Sequence, residues 1–138
     1  MKKILLLMFL GMFAAGINST TAQTVRNSNN TTIGTVESDG TVRNSNNTYV
    51  GKIYNDGTIR NSNNSYTGSV RNGEFRNSNN SYMGKVENDG TIRNSNNSYA
   101  GKIESDGTVR DSQNRVIGNA KGLTKEQAAA VFFFGYFK

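Results

Sequence analysis

The chain has 138 residues, room for one domain, and contains neither histidine nor cysteine. Their absence removes imidazole general bases, thiol nucleophiles, disulfides and the usual transition-metal ligand sets, so no cofactor and no enzymatic role are expected. The formal charge is +6, but the cations recur at short intervals and alternate with acids, which suits a solvated sheet face better than a nucleic-acid-binding stripe.

Lys2 and Lys3 precede an apolar run at 4–17, which a small polar stretch follows. This is the layout of a secretory signal, and the run is too short for a spanning helix of about 20 residues. Thr20-Thr21-Ala22 offers a small-x-Ala site, so residues 1–22 are expected to be removed and the mature chain to begin at Gln23. Cleavage after Gly16 and an uncleaved anchor are the alternatives. Loss of Lys2 and Lys3 leaves 14 of the 16 basic residues against 10 acidic ones, a net charge of +4. The protein is expected outside the cytoplasm, with no membrane span after cleavage.

Residues 23–121 are repetitive. Arg26, Arg43, Arg60, Arg76, Arg93 and Arg110 are spaced 17, 17, 16, 17 and 17 residues apart, and a fixed period defines a repeat architecture. Units lie near 25–41, 42–58, 59–74, 75–91 and 92–108, with a partial one at 109–120. RNSNNSY stands at 60–66, 76–82 and 93–99, with close copies at 26–32 and 43–49. Three positions per unit are apolar or aromatic: one before the arginine (Ile59), one two after a glycine (Val70), and one two before that glycine (Tyr66). Tyr66, Gly68 and Val70 keep period two, so the sequence predicts strands with the tyrosines on the core face.

The turns predict hairpins. In 53–59 the loop Asn55-Asp56-Gly57, with Gly57 left-handed, places Ile53 opposite Ile59. The short unit has Asn72-Gly73 instead, a two-residue hairpin signal that places Val70 opposite Phe75 and Arg71 opposite Glu74. One residue is lost and the apolar pair is kept, which a random deletion would not do. The same logic applied to RNSNN pairs Ile59 with Tyr66 and Arg60 with Ser65, and makes Asn61-Ser62-Asn63-Asn64 a four-residue loop.

Residues 122–138 form the tail. Thr124 with Gln127 is a capping-box pattern and Ala128, Ala129 and Ala130 favour helix. The apolar residues after them need burial on several sides. A short helix whose aromatics plug the hairpin ring is expected; a dimer contact and an outer-membrane-type terminal signal are the rivals. The predicted fold is all-β: an antiparallel meander of about five hairpins closed into a flower- or propeller-like ring, plugged by a C-terminal helix and aromatic tail.

The recurrent apolar-Arg-Asn-Ser repeat, its glycine-aliphatic return strand and the Phe-rich tail resemble the five-fold beta-flower proteins of exported bacterial, Bacteroidetes-type origin. The resemblance implies radiating hairpins, no established catalysis, and the periplasm or exterior of a Gram-negative bacterium. Uniform Asn-Asn loops depart from the family's flavour and point to a surface role particular to this chain.

Carboxylate pairs recur at Glu37/Asp39, Glu87/Asp89 and Glu104/Asp106, but the aspartates sit where turn chemistry explains them. The leading expectation is a scaffold or interaction module of unknown partner. The alternative is a carbohydrate-binding module, the partner being a glycan or cell-envelope component. Its loop-tip candidates are Arg43, Asn46 and Asn47; Arg60, Asn63 and Asn64; Arg76, Asn79 and Asn80; and Arg93, Asn96 and Asn97. A remoter alternative is a self-assembling fibre subunit, since Asn/Ser/Tyr repeats without proline suit cross-β stacking.

Overall fold

The computed structural model describes residues 21–137. Twelve strands follow one another as β1 (Ala22–Asn27), β2 (Thr32–Glu37), β3 (Thr41–Asn44), β4 (Tyr49–Ile53), β5 (Thr58–Asn61), β6 (Tyr66–Arg71), β7 (Glu74–Asn77), β8 (Tyr82–Val86), β9 (Thr91–Asn94), β10 (Tyr99–Ile103), β11 (Thr108–Asp111) and β12 (Val116–Asn119). Each pairs antiparallel with its neighbours in sequence, and β1 with β12 closes the barrel. The half unit at 109–120 folds as a complete hairpin, so the ring holds six hairpins rather than about five. The expected signal peptide lies outside the described residues except for Thr21 and Ala22, and Ala22 already pairs with Glu37.

The Asp-Gly turns fold as their chemistry requires. Tyr54 N–H donates to Thr58 O and Gly57 N–H to Tyr54 O, with Gly57 at φ +89°, and Ile53 faces Ile59. In the short unit Asn72 and Gly73 both have positive φ, and the pairs Val70–Phe75 and Arg71–Glu74 form. Each of these turns also reaches its neighbour: the carbonyls of Gly40, Gly57, Gly73, Gly90 and Gly107 accept from the N–H of Ile53, Val70, Val86, Ile103 and Ala120.

The RNSNN turn differs from expectation. Asn61 N–H donates to Ser65 O and Asn64 N–H to Asn61 O, with Asn64 at φ +63°. This is a three-residue loop built like Asn55-Asp56-Gly57, with asparagine at the left-handed place. Asn61 Oδ1 accepts the N–H groups of Asn63 and Ser65, both at 3.0 Å, and holds the turn from within. Arg60 therefore faces Tyr66, not Ser65, and Ile59 faces Gly68 across a bulge at Thr67. The loop is one residue shorter than predicted, and the bulge takes up that residue.

The bulge reverses the faces. Tyr66 and Tyr99 are 40% and 42% exposed, and Tyr49 and Tyr82 are partly exposed, so the tyrosines stand outside the core. The residue between tyrosine and glycine turns toward the core instead: Met83, Ala100 and Ile117 pack on the main cluster and Val50 on a smaller one. Asn64→Ala is expected to cost about 1 kcal/mol for the left-handed backbone, whereas Asn64→Gly is expected to be near neutral; urea denaturation of the two variants checks this.

The interior is lined by the apolar residues beside each turn, including Val36, Val42, Ile59, Phe75, Ile92 and Val109, all 5% exposed or less. Helix α1 (Lys125–Phe132) fills it. Thr124 caps α1: its Oγ1 accepts from Gln127 N–H while Gln127 Oε1 accepts from Thr124 N–H, the predicted capping box. Ala128, Ala129 and Ala130 are buried, which small side chains permit where a helix runs against a sheet. Phe134 stacks on Phe75 with centroids 4.3 Å apart. The Tyr136 hydroxyl donates to Arg76 O at 2.8 Å, and burial pushes that phenol up to about 12. The tail is the plug, as expected.

Candidate functional site on the outer face

Because the bulge sends the tyrosines outward, each comes to lie beside the arginine that opens its repeat. The cross-strand pairs are Arg43–Tyr49, Arg60–Tyr66, Arg76–Tyr82 and Arg93–Tyr99. The two end hairpins carry Arg26–Thr32 and Arg110–Val116 instead. The Arg76 guanidinium lies 6.0 Å from the Tyr82 ring centroid, within cation–π range.

The arginines also serve the turns. One Nη1 of each donates to the carbonyl of the left-handed asparagine: Arg43 to Asn47 at 3.3 Å, Arg60 to Asn64 at 2.9 Å, Arg76 to Asn80 at 3.1 Å and Arg93 to Asn97 at 3.3 Å. Arg43 Nε pairs with Glu37 at 2.7 Å, Arg93 Nε with Glu87 at 3.1 Å and Arg110 Nε with Glu104 at 3.3 Å. These ion pairs, about one third exposed, orient the guanidinium more than they stabilise the fold. A guanidinium has five N–H donors, so each arginine retains donors toward solvent.

The twelve loop-tip candidates therefore divide. Asn47, Asn64, Asn80 and Asn97 hold the turn through their backbone, with their side chains exposed. Asn46, Asn63, Asn79 and Asn96 are exposed, and among the described residues their side-chain amides have no protein partner. Arg43, Arg60, Arg76 and Arg93 are half-buried struts in the strands that flank the turns. Sequence reasoning missed Tyr49, Tyr66, Tyr82 and Tyr99, which it placed in the core. The signal was present one residue later: Ile33, Val50, Met83, Ala100 and Ile117 make that position apolar in every unit except the one with Thr67.

The carboxylate pairs do not converge. Asp39, Asp56, Asp89 and Asp106 each accept the N–H two residues on, at 2.9–3.0 Å, while the glutamates face arginines. Among the described residues no three acidic side chains gather where a metal could be held. An open cleft of about 430 Å³ lies at the Asp-Gly end beside the start of α1. Of its polar lining residues, Asp56, Thr124 and Gln127 are engaged in turn and cap.

The backbone N–H groups of Thr41, Thr58, Thr91 and Thr108 hold the four aspartates below their ordinary 3.8, and that of Arg115 does the same for Asp111. A carboxyl with a lowered folded value stabilises the fold above the unfolded value, and that contribution disappears as pH falls through the folded one. Thermal stability is expected to hold from neutral pH down to about 4 and to fall below it. A set of melting curves across this range checks it, and Asp106→Asn should flatten the fall.

Strands of four to six residues are shorter than the ~9–11 that a membrane-crossing strand needs, and no described helix is long and apolar enough to cross a membrane. In comparisons with known proteins, the family model described as 5-fold beta-flower protein matches residues 22–137. No curated protein and no solved structure matches.

Proposed function

The chain belongs to the 5-fold beta-flower protein family, and from that premise we propose that it is an exported, non-enzymatic interaction module that binds carbohydrate through its outer tyrosine–arginine–asparagine clusters. The observation that carries this reading is the exposure of the Tyr66 and Tyr99 residues directly opposite half-buried arginines. A sugar ring offers C–H groups on its face and hydroxyls around its edge. A tyrosine face receives the first, while guanidinium and amide groups bond the second. We read the "5-fold" of the description as the five complete repeats, with the half unit supplying the closing hairpin.

Four clusters of one kind favour a repetitive ligand. Each alone binds weakly, and joint engagement of a polymer raises avidity by about 10²–10⁴ without new contacts. The reading thus calls for binding to polysaccharide and little to the monosaccharide. A fibre is disfavoured, because pairing of β1 with β12 leaves no open edge among the described strands for cross-β addition.

The test is a glycan array followed by polysaccharide pull-down. Tyr66→Ala with Tyr99→Ala is expected to reduce avidity by about two orders of magnitude while leaving the melting temperature nearly unchanged, since both rings are exposed. Asn63→Ala with Asn96→Ala should give a smaller loss. Absence of glycan binding, or binding indifferent to the tyrosine substitutions, would refute the proposal.

A further inference from the structure

Six glycines occupy equivalent inner places: Gly34, Gly51, Gly68, Gly84, Gly101 and Gly118. Each lies against the main-chain carbonyl of an arginine on the neighbouring strand, so all six have the same back wall. Five of them also carry a ring from the tail. A Cβ on the glycine would stand 2.5–2.9 Å from the ring of Phe132 at Gly118, Phe133 at Gly101, Phe134 at Gly84, Tyr136 at Gly68 and Phe137 at Gly51. In chain order the tail runs around the barrel from the sixth hairpin to the second and stops one place short.

At Gly34 the nearest atoms are only the backbone of Arg43 and Asn44. Where a sixth ring would lie there is an apolar cavity of about 160 Å³, lined by Val25, Ile33, Val42, Val50, Val131 and Phe137. Val131 and Phe137 bound it from the two ends of the aromatic series, and an isopropyl group at Val131 does not fill a phenyl place. Ile33 bears the consequence. It is 39% exposed, whereas its equivalents Val50, Met83, Ala100 and Ile117 are partly buried against the core or tail.

We propose that this sixth place is a binding site for one free monocyclic aromatic molecule, of the size and shape of benzene or phenol. The five filled places show what the wall accepts: a flat six-membered ring laid on a glycine. Size agrees independently, since roughly 150 Å³ of apolar cavity is enough to take up benzene; here the place opens to solvent at Ile33. Thr35, Arg43 and Asn44 stand in the lining as its polar residues, suited to a single hydroxyl on the ring.

The test is titration of benzene, then phenol, into the folded chain, followed by methyl NMR. Saturable shifts are expected at the Val25, Val42, Val50 and Val131 methyls, with cross-relaxation from ring protons to Val131. Val131→Phe supplies a sixth ring from within and should weaken benzene binding at least about tenfold. Unmoved methyls at these four valines, cross-relaxation only to methyls elsewhere, or equal binding by Val131→Phe would overturn the proposal. The wild-type NMR arms decide the matter even if the substituted chain fails to fold.

Discussion

Truncation before Leu123 is expected to abolish cooperative folding of the barrel. The tail supplies what the inner wall packs against: Ala128, Ala129 and Ala130 are 1% exposed or less, and Phe132, Phe133, Phe134, Tyr136 and Phe137 pack against that wall. Burying most of an aromatic side chain contributes about 3 kcal/mol at most by area. Five partly buried rings sum to at most about 15 kcal/mol, comparable with the whole net stability of an ordinary domain, about 5–15 kcal/mol. Without the tail the aliphatics beside each turn would face a hollow, and ladder hydrogen bonds alone do not hold a sheet of short strands together. Urea denaturation followed by far-ultraviolet circular dichroism is the measurement. A truncated chain that melts cooperatively near the full-length midpoint would remove the tail from the core. The single substitution Phe134→Ala, which deletes the ring stacked on Phe75, is expected to cost about 3 kcal/mol.

Gly101→Ala is expected to be severely damaging, with a loss above about 4 kcal/mol or failure to fold. Two requirements meet there. The backbone lies at φ +157°, which L side chains rarely adopt, and the added Cβ would press on Arg110 O while standing 2.7 Å from the Phe133 ring. A backbone carbonyl within the ladder cannot retreat without breaking the sheet, and the ring cannot retreat without displacing its neighbours in the plug. Ala100→Gly next to it removes only a partly buried methyl and should cost about 1 kcal/mol. Equal, small shifts of the urea midpoint for both would show that the glycine layer is not sterically required.

Much of this was legible in residues taken locally. Asn-Gly and Asp-Gly specify their turn geometries through left-handed backbone and side-chain capping, so the Ile53–Ile59 and Val70–Phe75 pairs follow from a few adjacent residues. Thr124 and Gln127 likewise specify where α1 begins. The candidate site was half legible. Asn46, Asn47 and their equivalents do lie in the turns, but Arg43, Arg60, Arg76 and Arg93 lie in the strands that lead into them rather than at loop tips, and the tyrosines that face the arginines were put inside.

The misreading has a definite physical origin. Arg60 to Gly68 can be accommodated by a four-residue loop and regular strand, or by a three-residue loop and a bulge, with the same number of residues. Both bring Val70 to the core, and they differ only in which side Tyr66 takes. Local turn chemistry favours the Asn61–Ser65 closure. The bulge that follows is secured by what lies beneath it, since the inward residue must meet the tail and the glycine must admit a ring.

What the sequence by itself determined is therefore everything carried by neighbours in the chain: the 17-residue period, the hairpins, the aliphatic pairs and the helix cap. Only the tertiary structure decided that the closed ring holds six hairpins, the outward face of the tyrosines, and the match of five tail rings to five of six glycines. The reason is range. Turn and cap energies depend on φ, ψ and side chains within a few residues, while closure and ring seating depend on the diameter that six hairpins leave for one helix.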